Sequence, residues 1–219
     1  MVIPTQTLIL RFRIELHETE PLVWREIEVP GDATFWDLHV AIQDAMGWLD
    51  YHLHRFTVPH PRTKKELVFG IHNLHQDCDD LPGWATQIAA VFTLRNDAAL
   101  YEYDFGDNWR HTVRLVDVLR RDFKARYPRC VAGERACPPE DCGGVHAYAE
   151  IVAGTMDEGT RRWQPRGYDP AHFDPAAVRI SDPSRRLAYS WYGDPEAGDS
   201  PFEEPPAKKQ RASRAAGSS

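Results

Sequence analysis

Leu8-Ile9-Leu10-Arg11-Phe12-Arg13-Ile14-Glu15-Leu16 carries a hydrophobic residue at every second position, with Ile9, Arg11, Arg13 and Glu15 between them. Alternate residues of an extended chain project to opposite faces, so this period of two predicts a strand buried on one side. After Glu20-Pro21, the residues Val23, Ile27 and Val29 lie on one side of a second run, which Pro30-Gly31 ends, and the pair reads as a β-hairpin. Thr34 then precedes Phe35, Leu38, Ile42, Ala45 and Met46 at helical spacing, with Asp37 placed for a capping box and Gly47 at the stop. The resulting fold class is α+β: antiparallel hairpins packed with a few helices, plus an irregular cysteine-bearing loop.

Further along, Tyr51 to Val58 reads as a strand with His52, His54, Phe56 and Val58 on one face. A short helix is expected around Ala89 to Arg95. Two extended runs, Ala99 to Phe105 and Trp109 to Val118, flank Gly106-Asp107-Asn108 as a second hairpin. The proline and glycine content of Tyr127 to Gly144 predicts the irregular loop, and Val145 to Ala153 a helix packed by Tyr148, Ile151 and Val152. Helical character is expected to resume around Asp157 to Trp163. From Ser181 the composition turns to Pro, Ser, Ala and charge, and 203–219 holds no aliphatic residue larger than alanine, which predicts a disordered tail over 181–219 after a domain over 1–180.

The chain has 219 residues, 42% of them hydrophobic, enough for one ordinary core. Its 26 Lys+Arg against 33 Asp+Glu give a formal charge of -7, which argues against coating nucleic acid by bulk charge. A local basic patch stays open: Arg114, Arg120, Arg121, Lys124, Arg126 and Arg129 are interleaved with Phe123 and Tyr127. The longest uncharged stretch, Leu81 to Leu94, is too short to cross a bilayer, and the amino terminus lacks the basic region of a signal peptide, so a cytoplasmic protein with no membrane partner is expected. No serine precedes Ser181, which excludes a serine hydrolase or serine recombinase built on the folded part. Phosphate-loop, dinucleotide-binding and zinc-protease motifs are missing as well.

The 4 cysteines are too few for a disulfide scaffold in a chain this long. Cys130, Cys137 and Cys142 stand as C-x6-C-x4-C in one loop, and soft thiolates of this kind suit zinc, with His146 a weaker fourth ligand. Buried small apolar packing is the competing reading. His72, His75 and Cys78 form a second spacing, read as surface residues. His52 and His54 share a strand face as ligands or as packing groups. Asp104, Asp107 and His111 gather around one turn, where they suit a cation or general acid/base work, although Asp is also an ordinary turn former.

Several of these segments occur together in one known pattern: Pro21-Leu22-Val23-Trp24-Arg25, Leu38-His39 through Ala45-Met46-Gly47-Trp48, His52-Leu53-His54-Arg55-Phe56, Tyr101-Glu102-Tyr103-Asp104-Phe105-Gly106-Asp107-Asn108-Trp109 with His111, and Tyr127-Pro128-Arg129-Cys130 through Cys142-Gly143-Gly144. Over roughly residues 5–180 the chain resembles the plasmid pRiA4b ORF-3-like family. The resemblance implies an α+β domain, relatives named as insertion-sequence passenger or resolvase-like proteins, and no established activity. Cys130, Cys137, Cys142, Asp104, Asp107 and His111 fall on its motifs, whereas His146 does not. Three readings follow. The first is a non-enzymatic module, linked to mobile elements, that binds a protein partner or nucleic acid and carries a metal in the 127–144 loop. The second is a metal-dependent enzyme acting on nucleic acid, with Asp104, Asp107, His111 and His52 or His54 in one cleft. The third is a redox sensor built on a bridging cysteine pair.

Overall fold

Strand β1 (Leu8–Leu16) buries Leu10, Phe12, Ile14 and Leu16 as the alternation predicts, and Ile9 besides. It pairs antiparallel with β2 (Trp24–Pro30) on one side and β7 (Trp109–Arg120) on the other. A computed structural model describes residues 4–70, 80–156, 161 and 164–192 of the chain. In it, β3 (His54–Pro59), β4 (Glu66–Gly70), β5 (Leu81–Pro82), β6 (Ala98–Tyr103) and β8 (Arg129–Glu134) complete an eight-stranded sheet ordered β5-β4-β3-β6-β7-β1-β2-β8. Every pairing is antiparallel except β4 with β5.

Helix α1 (Phe35–Met46) carries the chain from β2 to β3, past β1, β7 and β6. Its capping box forms as the sequence requires: Asp37 N–H donates to Thr34 Oγ1 at 3.2 Å and Thr34 N–H donates to the Asp37 carboxylate at 2.8 Å. Gly47 closes it at φ 94°, a left-handed conformation that glycine adopts without a Cβ clash. The helix and the inner sheet face enclose the core, where Phe35 stacks on Phe69 with centroids 4.0 Å apart and Phe12 meets Phe92 edge-on at 4.9 Å. Helix α2 (Gly144–Ala153) adds Tyr148 and Ile151 to the same core.

The opposite face hides one carboxylate. Glu28 accepts from Arg11 at 2.6 Å and from Arg129 at 2.7 Å, which ties β1, β2 and β8 together. Burial pushes its carboxyl up, but the two guanidinium bonds outweigh that and hold it below the usual range. Outside β8 the chain returns as residues 165–177: Ala136 N–H donates to Pro170 O at 3.1 Å, and a 3-10 turn at Pro175–Ala177 lies against the strand.

Several elements differ from expectation. The strand expected from Tyr51 starts at His54, and the helix expected at 89–95 is one 3-10 turn, Ile88–Ala90. The stretch 127–144 is not irregular throughout, because Arg129–Glu134 finds an open edge on β2 and pairs with it as β8. Helix α3 (Pro183–Tyr192) lies inside the stretch read as tail, where Arg185, Arg186, Leu187 and Ala188 are good helix formers. The chain to Pro183 forms one compact unit and the chain from Ser184 another. Most of 157–163 lies outside the described residues, as do His72, His75 and Cys78. Among the described residues no helix is long and apolar enough to cross a membrane.

Candidate metal centres

Antiparallel pairing sets His54 of β3 opposite Tyr103 of β6, and Tyr103 opposite Trp109 of β7, so one end of the sheet collects the polar and aromatic side chains of three strands. The 47–53 connection from α1 passes this end. The loop after β8 closes over it: Tyr103 OH donates to Glu140, Leu49 N–H donates to Glu140 Oε2 at 3.2 Å, and Gly143 N–H donates to Asp107 Oδ2 at 3.0 Å. Burial pushes the Glu140 carboxyl up.

Among the described residues, two sets of three side chains bring one donor atom each within 4.8 Å of one another. The first reaches the surface and joins half-buried His52, buried Asp104 and exposed Asp141. His52 Nε2 lies 2.8 Å from Asp141 Oδ1 and 3.6 Å from Asp104 Oδ2, while Asp104 Oδ1 accepts from Gly106 N–H at 2.9 Å. Both aspartates sit in the left-handed region, Asp104 at φ 52° and Asp141 at φ 55°. A groove of about 800 Å3 meets this group at Asp141; Leu49, Tyr51, Pro138, Tyr168 and Phe173 are among the other residues lining it.

The second set is internal and joins His39 of α1, Asp50 and His54. The His39 ring is fully buried between two partners, Tyr101 OH at 2.8 Å from Nδ1 and Asp50 Oδ1 at 2.8 Å from Nε2. Gln43 Nε2 in turn donates to Tyr101 OH at 2.9 Å. The His54 ring stacks on His39 with centroids 3.4 Å apart and 10° between planes, and its Nδ1 is buried with no hydrogen-bond partner. Burial, and then the neighbouring His39, hold His54 well below the ordinary histidine range, so it stays neutral. Asp50 too is left-handed, at φ 61°.

The sequence candidates are thus divided. His52 and Asp104 meet, and the structure adds Asp141. Asp107 lies one turn away and fastens the 138–144 loop. His54 belongs to the internal group. His111 lies in the core, edge-on to Trp48 at 5.4 Å, with Nδ1 against Tyr101 O at 3.3 Å. Burial lowers it to about 3.

Cys130 sits half-buried on β8, Cys137 and Cys142 are buried in the loop, and His146 is exposed on α2; none belongs to either donor set. Burial raises all three thiols, Cys142 to about 12, which opposes thiolate reactivity. The basic stretch is partly engaged within the chain: Arg114 pairs with Asp97 at 2.8 Å, Arg129 with Glu28, and Arg121 and Arg129 lie over Tyr127.

Sequence reasoning missed His39, Asp50 and Asp141 as site residues. His39 interrupts the apolar face of an amphipathic helix, and that was the available signal. Asp50 and Asp141 sit in connections, where carboxylates carry no periodicity to betray them. It also missed Arg25, 1% exposed, which donates to Ala45 O at 2.7 Å, Trp24 O at 2.8 Å and Glu134 O at 2.9 Å and stacks on Phe173.

The sequence profile described as plasmid pRiA4b ORF-3-like protein matches residues 8–177, which covers every strand and both donor sets. The chain belongs to the plasmid pRiA4b ORF-3-like family. Within reach of this family lies the uncharacterised protein y4hQ of Sinorhizobium fredii, 29% identical over 160 residues that cover 70% of this chain and 76% of y4hQ. A crystal structure of the protein of unknown function MM3350 from Methanosarcina mazei Go1 superposes with a TM-score of 0.71 at 38% identity, covering 78% of this chain and 98% of that one. The pRiA4b-like fold is therefore an α+β fold with an eight-stranded mixed sheet.

Proposed function

We propose that this pRiA4b-like chain is a non-enzymatic binding module that engages an anionic partner through a divalent cation on His52, Asp104 and Asp141. The observation that carries this reading is the convergence of one imidazole and two carboxylates, from three distant segments, beside an open groove. Both aspartates hold backbone conformations that cost energy, and such residues cluster at functional sites. One nitrogen with carboxylate oxygens suits Mn2+, and three protein ligands leave coordination positions for a partner's oxygen atoms. A chain of formal charge -7 repels polyanions, so a bridging cation supplies the attraction its own surface lacks. Nucleic-acid phosphate is the partner chemistry consistent with the mobile-element link that the family resemblance implies.

The experiment measures binding of a fluorescent single-stranded oligonucleotide with Mn2+ and with chelator, for the wild type and Asp104→Asn. The expected result is Mn2+-dependent binding and Mn2+ uptake, both lost in the folded variant. Equal Mn2+ uptake by wild type and variant would overturn the cation site. Uptake that is lost in the variant without any oligonucleotide binding would keep the ion and remove nucleic acid as partner. Cleavage of the oligonucleotide would replace the binding module by the enzyme reading.

A further inference from the structure

Contacts within the chain use up only part of the basic stretch after β7, and part of the remainder lines a second groove. Arg126, Arg129 and Arg179 border this groove of about 570 Å3, between the start of β8 and residues 175–183, with Asp182 the one acid among its lining residues. Arg179 Nη1 donates to Ala176 O at 2.6 Å and to Val178 O at 2.9 Å, which holds the guanidinium while its Nε and Nη2 make no hydrogen bond among the described residues. Arg129 donates from Nε to Glu28 at 2.7 Å and lies 5.1 Å over the Tyr127 ring, so its two terminal nitrogens are not engaged by that carboxylate. Arg126 is exposed and makes no ion pair among the described residues. Glu28 offers a single negative charge to two guanidiniums, those of Arg11 and Arg129, so the neighbourhood keeps an excess of positive charge. Arg120, Arg121 and Lys124 add to that excess against Asp122.

We infer that this groove binds a phosphate monoester. Such a group carries about 1.5 to 2 negative charges at pH 7 and three strong acceptor oxygens. Three arginines against one aspartate match that charge, and each guanidinium fork can meet two phosphate oxygens at once. The net charge of -7 opposes a long polyanion, but a small anion is met here by local charge alone. The volume is that of a small-ligand site, and Pro128, Val178 and Ile180 give the organic part of the ester an apolar wall. No side chain of the His52 group is among the lining residues, so the inference goes beyond the cation-bridged reading and does not rest on it.

The test titrates the full chain, in chelator, with inorganic phosphate, a nucleoside 5′-monophosphate and a hexose phosphate, read by calorimetry and by the rise in Tm. The nucleoside without phosphate is the control. Saturable binding of at least one phosphate, and none of the nucleoside, is expected. Arg126→Gln and Arg179→Gln should each weaken it about tenfold or more, the loss of one charged hydrogen-bonding partner. Both arginines are exposed, so the variants keep the fold, and Arg62→Gln on the β3–β4 turn should bind as the wild type does. The ester bound most tightly identifies the source of the phosphate. Absence of saturable binding, equal binding of nucleoside and monophosphate, or an affinity unmoved in both groove variants would overturn the inference. So would an oligonucleotide without terminal phosphates that binds more tightly than every monoester. With chelator present the His52 group holds no ion, so failure here and failure of the Mn2+ reading are separate results.

Discussion

Replacement of His111 by Gln tests how strongly the core dictates protonation. An unfolded histidine titrates near ~6.5, whereas burial among Trp48, Tyr101 and Trp109, with a smaller contribution from His17, lowers folded His111 to about 3. The folded ring therefore stays neutral while the unfolded ring takes a proton, so the stability that depends on its neutrality is fully present above pH ~6.5 and lost as pH falls toward that of the folded group. At ~1.4 kcal/mol per pH unit, moving from pH 7 to pH 5 costs the wild type about 2 kcal/mol through this residue alone. His54, lowered in the same sense, titrates in both proteins and cancels in the comparison. Urea unfolding of wild type and His111→Gln at pH 7 and pH 5 gives the four free energies needed. The expected wild-type loss exceeds that of the variant by about 2 kcal/mol. Equal losses would refute the claim that a neutral His111 is embedded in the fold.

Arg25→Met removes three hydrogen bonds to carbonyl oxygens and the stack on Phe173, and a loss of about 3 kcal/mol is expected in thermal or urea unfolding, partly offset by relief of a buried charge. Arg25→Lys should rescue little, because a single ammonium cannot reproduce the planar fork. A Cβ on Gly144 would sit 3.0 Å from Asp107 O at a φ of +78°, so Gly144→Ala should destabilise by about 1–2 kcal/mol and weaken Mn2+ uptake as the loop bearing Asp141 shifts. Thiol labelling at pH 8 should find Cys142 on the order of 1000-fold slower than a free peptide thiol, given a thiol raised to about 12. Labelling of native Cys142 at the unfolded rate would contradict that burial.

Local pattern made β1, β2, α1 and the β6–β7 hairpin legible, because each is specified by neighbours in sequence: the alternation of 8–16, the Thr34–Asp37 box, the Gly106-Asp107-Asn108 turn. β8 was not legible, since Arg129–Glu134 reads as loop until an edge of β2 is available to pair with it. The same limit governs the sites. Asp104 and His52 stood out as chemistry near a turn and on a strand, but their meeting depends on β3–β6 pairing and on a loop nearly forty residues further on, which supplies Asp141. His111 stood with Asp104 and Asp107 as a candidate at one turn, yet on β7 its side chain points into the core and is fully buried, which neighbours in sequence alone did not show. His39 and His54 come together only through the crossing of α1 over the sheet, a tertiary fact with no local trace.

The covering of β8 by residues 165–177 bears on how the molecule avoids joining to others. At one end of the sheet β5 spans only two residues, and Pro82 lacks an N–H to offer. At the other, the last strand is shielded by chain made well after it. During synthesis β8 is thus an uncovered template for strand addition until residues 165–177 have emerged and docked, and truncation ahead of Pro170 would leave that edge permanently available for aggregation.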